Sequence, residues 1–73
     1  MWKVNMRATG LEIKQRCIRA GYEPKVLAER LDVALTTPYM WFNGEVMPKL
    51  NTLVSLAKLL NCTVDELLVI EEE

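Results

Sequence analysis

The sequence predicts an all-α fold of five helices, with a small two-stranded sheet joining the N- and C-terminal segments. Three observations carry this. Apolar residues recur at helical spacing in separate segments, as in Ile13/Cys17/Ala20 and Leu50/Leu53/Ala57/Leu60. Thr-x-x-Glu patterns at Thr9–Glu12 and Thr63–Glu66 have the form of capping boxes, in which each side chain satisfies the other residue's backbone amide. Gly21, Pro24, Pro38 and Gly44 punctuate the chain at intervals that leave room only for short helices.

Taken in order, Trp2–Arg7 alternates apolar and polar residues, the period of a half-buried strand. The first helix is expected from about residue 10 to 20, opened by Thr9–Glu12 and stopped by Gly21, with Ile13, Cys17 and Ala20 on its inner face. Pro24 suits the first turn of a second helix, with Glu23 before it at the positive helix end. That helix ends near Leu31. A third begins between Leu35 and Pro38, capped by Thr36 or Thr37, and ends before Gly44. Leu27, Leu31 and the small Ala28 let the third helix cross the second closely, and Val33 plugs the turn. This is the geometry of a helix-turn-helix, with a core of about residues 24–44, whose second helix fits the major groove of DNA.

After the loop Gly44–Pro48, a fourth helix is expected from about 50 to 60, with Leu50, Leu53, Ala57 and Leu60 inward, widened by Val54 and Leu56, and Asn61 at its end. Thr63–Glu66 opens a short fifth helix. Val69 and Ile70 are expected to be extended and paired with the N-terminal strand, because either strand alone is marginal. Trp2, Val4 and Met6 would then dock on the chain's own C-terminus, with a second subunit as the alternative.

Composition narrows the function. At 73 residues the chain is read as one domain, residues 1–73, and 51% hydrophobic content is ample for a core and too much for a disordered segment. No apolar run approaches the roughly 20 residues of a membrane span, and no signal-peptide pattern stands at the start, so the cytoplasm is the expected compartment. Cys17 and Cys62 read as reduced thiols. With no His and no C-x-x-C, no metal or other cofactor is expected. The sequence argues against an enzyme: there is one Ser (Ser55), no Gly-rich phosphate loop and no carboxylate cluster facing a Lys or Cys. Net charge is −1, yet residues 1–64 hold all nine Lys and Arg against five acids, and the acidic surplus is confined to residues 65–73. A local basic face is compatible with that distribution.

From Leu11 to Leu68 the chain resembles the Cro/CI-type, XRE-like helix-turn-helix domains. The resemblance rests on Leu27-Ala28-x-x-Leu31-x-Val33, Trp41-x-x-Gly44, Pro48, and the run from Leu53-x-x-Leu56-Ala57 to Asp65-Glu66-Leu67. It implies a five-helix, lambda-repressor-like domain, bacterial or phage-encoded, commonly a homodimer, that binds double-stranded DNA to regulate transcription; no small-molecule ligand is expected. It further implies that Leu35, Thr36 and Met40 face base edges. Thr37, Tyr39 and Asn43 would lie beside the groove or near phosphate, and Lys25 and Lys49 would meet the backbone, with Arg30 or Arg16 as additional phosphate contacts. Three departures stand out. Leu35 and Met40 replace polar readers. Pro24 removes a donor. Cys17 and Phe42 occupy positions where many relatives carry an Arg–Glu pair, so packing replaces charge there. Leu35, Tyr39 and Met40 together form an apolar cluster that also suits a protein-interaction module on the same scaffold.

Overall fold

A computed structural model describes residues 1–73. Its order is β1 (Trp2–Val4), α1 (Met6–Ala20), α2 (Pro24–Leu31), α3 (Thr37–Phe42), α4 (Leu50–Leu59), α5 (Val64–Leu67) and β2 (Ile70–Glu72). The five helices and the terminal sheet are thus as expected. The strands pair antiparallel in the register Trp2–Glu72, Lys3–Glu71, Val4–Ile70.

The first helix starts earlier than the Thr9–Glu12 pattern predicts. Asn5 is extended, and its Oδ1 accepts from the Ala8 amide at 2.9 Å, so Asn5 caps α1 and ends the alternating segment at Val4. Thr9 then falls inside the helix, fully buried, and its hydroxyl accepts from the Val69 amide at 2.9 Å. That bond ties α1 to the chain entering β2, and the Asn5 amide donates to the Val69 carbonyl at 2.8 Å beside it. Glu12, freed from capping, accepts from Arg16 one turn on. Gly21 closes α1 with a left-handed φ of 79°, its amide and that of Tyr22 returning to Ile18 and Cys17 carbonyls.

The core gathers Ile13 and Cys17 of α1, Leu27 of α2, Leu56 and Ala57 of α4 and Leu67 of α5. Removing a side chain such as Leu27 or Leu56 would cost about 2–5 kcal/mol. Several expected core positions lie outside it. Ala20 is exposed, because it stands past the last core layer at the end of α1. Leu50 is 73% exposed and Val54 is exposed; the inner face of α4 runs along Leu53, Leu56, Ala57 and Leu60, and Leu50, the first residue of the helix, stands before that face meets the core. Asn61 ends α4 in the left-handed region at φ 55°. Thr63 and Glu66 form the complete capping box, with Glu66 Oε1 accepting from the Thr63 amide at 3.0 Å and the Thr63 hydroxyl accepting from the Glu66 amide at 3.1 Å.

Candidate nucleic-acid interface

Two glycines fix the position of α3. A Cβ on Gly10 would lie 2.3 Å from the Trp41 carbonyl oxygen and 2.8 Å from that of Phe42. A Cβ on Gly44, at φ 73°, would lie 2.8 Å from Arg7 Cα. Backbone of α1 therefore rests directly on the C-terminal end of α3, with no side chain between them. On the other side, the small Ala28, 5% exposed, lets α2 approach the same short helix. Pro38 and Trp41, three residues apart, point into the molecule and are buried.

At 100° per residue, anchoring Pro38 and Trp41 inward turns Tyr39 and the C-cap Asn43 outward, while Leu35 and Thr36 stand in the turn that enters the helix. Leu35 is 55% and Tyr39 53% exposed, and Thr36 and Asn43 are exposed. Thr37 and Met40 sit on the flanks and are half-buried. Met40 is thus less available than expected: its carbonyl accepts from the Glu45 and Val46 amides, folding the following loop back against this side of the helix. Neither threonine caps α3 through its side chain. Thr36 is already helical (φ −73°, ψ −21°), and the Thr37 amide is taken by the Ala34 carbonyl at 3.0 Å, so the entry is closed by a backbone turn and the hydroxyls stay free. Phe42 packs against the core beside Cys17 and presents its ring to the edge of Tyr39 at 6.4 Å between centroids.

The cations divide into two groups. Lys3 pairs with Glu71 and Glu73, Arg16 with Glu12 at 2.6 Å and Glu66 at 3.9 Å, and Arg19 with Glu12 at 4.0 Å. The hydrogen bond to Glu12 holds the Arg16 guanidinium above its ordinary pKa, so Arg16 ties α1 to α5 and is not a free phosphate contact as the sequence allowed. Arg7, Lys14, Lys25, Arg30, Lys49 and Lys58 have no carboxylate within ion-pair distance. Lys25 and Leu35 line one shallow depression. Arg7 and Lys14 line a groove between α1 and α3 with Phe42 and Asn43, and Lys14 continues beside Tyr39. Lys49, exposed just past Pro48, lies outside both.

Sequence reasoning did not single out Arg7 and Lys14. The signal was present in the spacing of Arg7, Leu11, Lys14 and Ile18, an exposed stripe at i, i+4, i+7 and i+11. The alternation of Trp2–Arg7 places Arg7 in a strand and so breaks the stripe at its first member. Cys17, buried among apolar side chains, has its thiol pushed up to about 11 by desolvation. No group of three His, Cys, Asp or Glu residues is placed to hold a metal.

A short helix held across its predecessor by buried small residues, with its outer face free and unpaired cations at its borders, defines a helix-turn-helix domain of the DNA-binding class. A family model described as Helix-turn-helix matches residues 13–67, most of the chain. The chain belongs to this XRE-like helix-turn-helix family of DNA-binding transcription regulators. Among solved structures, the fold is similar to that of the restriction-modification controller protein C.AhdI from Aeromonas hydrophila. The TM-score is 0.77 at 17% identity, covering 86% of this chain and 96% of that one. No curated protein matches the chain. No helix is long and apolar enough to cross a membrane.

Proposed function

We propose that the chain is a sequence-specific regulator that sets α3 into the major groove of double-stranded DNA as a homodimer. Leu35, Thr36, Thr37, Tyr39 and Met40 would face or border the base edges, and Asn43 would lie near the backbone. Lys25 and Lys49, joined by Lys14 and Arg7, would neutralise phosphates on either side. The observation that carries this reading is the outer face of α3, exposed at Leu35, Thr36, Tyr39 and Asn43 and flanked by cations that no carboxylate engages. Two copies related by a two-fold axis would read half-sites one helical turn apart. The likeness to a controller protein in a restriction-modification system supports a role at a promoter, with the genes under control set by the operator.

Titration of a duplex pool at several salt concentrations tests the reading. Log affinity should fall linearly with log salt, with a slope of about −0.9 per phosphate contacted. Lys25→Ala and Lys49→Ala should each flatten that slope. Absence of binding at low salt, or binding indifferent to these lysines, would favour a protein partner for the apolar groups of α3.

A further inference from the structure

Not one residue from Val33 to Gly44 is charged. Major-groove readers of guanine use the paired donors of Arg or Lys, and readers of adenine use Asn or Gln. Of the exposed residues on α3 only Asn43 belongs to these types, and it stands at the C-terminal end of the helix, beside Arg7 and Lys14. At the opposite end the large exposed side chain is Leu35, which has no polar atom. Leu35 is nonetheless held in place. The Val33 amide donates to the Ala28 carbonyl at 3.0 Å and the Thr37 amide to the Ala34 carbonyl at 3.0 Å, so the turn is hydrogen-bonded on both sides of it. Lys25 borders the same depression, which sets a phosphate anchor next to a fixed apolar contact.

We infer that α3 selects its site through the C5-methyl groups of pyrimidines, thymine above all, with Leu35 as the specificity-determining contact. This deepens the DNA-binding reading and rests on it. A thymine methyl gives Leu35 an apolar surface to bury against. Either a T·A or a C·G pair also presents polar edge atoms that Leu35 would strip of water without giving a hydrogen bond in return, and an unmethylated C·G pair has no methyl to offset that cost. The exposed Thr36 can add a methyl contact and one hydroxyl, whereas none of the side chains at Leu35, Thr36 or Tyr39 can form a two-donor contact to guanine.

The test begins with duplexes selected from a random pool by the full chain. Each thymine of the selected site is then replaced, one at a time, by deoxyuridine, which removes the methyl and leaves the hydrogen-bonding edge intact. At the contacted positions affinity should fall about fourfold, the value of one buried carbon. Changing such a T·A pair to C·G should weaken binding further, and 5-methylcytosine in the new pair should recover part of the loss. Leu35→Ala, at an exposed position, should abolish the thymine-over-uracil preference while keeping the lysine-dependent salt slope. Equal affinity for thymine and uracil sites throughout would overturn the inference and leave DNA binding standing. A thymine preference that survives Leu35→Ala in full would also overturn it, because the methyl would then be read by another side chain or through duplex stiffness. Failure to retain any duplex from the pool would overturn the inference together with the reading beneath it.

Discussion

The terminal sheet and the surroundings of α3 handle charge in opposite ways. At the sheet and between α1 and α5, two cations are engaged: Lys3 by Glu71 and Glu73, Arg16 by Glu12 and Glu66. Around α3, Arg7, Lys14 and Lys25 border exposed polar and apolar groups with no ion pair, although Glu45, Glu29 and Asp32 share their depressions. Charge is thus used internally at one end and left available at the other. A net charge of −1 conceals this division, which is why overall composition is a poor guide to what the chain binds.

The largest effect comes from separating the two parts of the free region. Arg7 and Lys14 are on α1, and the direct backbone contacts at Gly10 and Gly44 keep them beside α3. Gly10→Ala should cost about 3 kcal/mol and lower Tm by roughly 15 °C in a thermal melt, since the new methyl meets carbonyl oxygens that no rotamer change can move. An unchanged Tm would mean that α1 and α3 are not packed backbone to backbone.

The second test contrasts cations of the two regions. Lys14→Ala combined with Lys25→Ala should flatten the salt dependence of DNA affinity by about two units of slope, whereas Lys3→Ala should leave it unchanged. Equal losses from both would erase the distinction. A smaller effect is expected at the capping box: Thr63→Ala should destabilise by about 1 kcal/mol, read in a denaturant titration, with DNA affinity of the folded protein preserved.

The smallest effects are titrations. The Thr63 amide, and then its hydroxyl, hold the Glu66 carboxyl below its ordinary range. A carboxylate whose folded pKa lies below its unfolded value contributes stability that is complete above about pH 4.3 and is lost as pH falls through the folded value. Glu66→Gln should therefore reduce the acid sensitivity of folding in that window. At the other extreme, the Cys17 thiol, raised to about 11, contributes stability below its unfolded pKa of about 8.5 that is lost as pH rises toward 11. At pH 8 an alkylating reagent should modify the half-buried Cys62 well before the buried Cys17.

Local patterns were legible where local chemistry decides the outcome. The Thr63–Glu66 box, Gly21 as the stop of α1, Pro24 in the first turn of α2 and the pairing of the terminal strands all follow from nearest neighbours or from the marginality of lone strands. The start of α1 did not. Asn5 and Thr9 both have the chemistry of a cap, and the choice is settled by a bond from Thr9 to Val69, 60 residues away in sequence. That misplaced start concealed Arg7, and Lys14 without it lacked the partner that marks a stripe facing α3. Gly10 was equally opaque, since its need for a missing Cβ comes from carbonyls on another helix. On α4, spacing put Leu50 and Val54 on the inner stripe, and both are exposed because the core meets the helix along Leu53, Leu56, Ala57 and Leu60. For the interface, the outward positions of Leu35 and Tyr39 were readable from the helix faces and those of Thr36 and Asn43 from the family resemblance, while the withdrawal of Met40 depends on the Glu45–Val46 turn.

The most direct test of the central claim is an amide chemical-shift map of the isotope-labelled full chain during addition of a selected duplex. The largest changes should fall on Lys25, Leu35, Thr36, Thr37, Tyr39 and Asn43, with Arg7 and Lys14 next and the terminal strands nearly silent. Changes concentrated at Trp2, Lys3, Glu71 and Glu72, with α3 unmoved, would contradict the account.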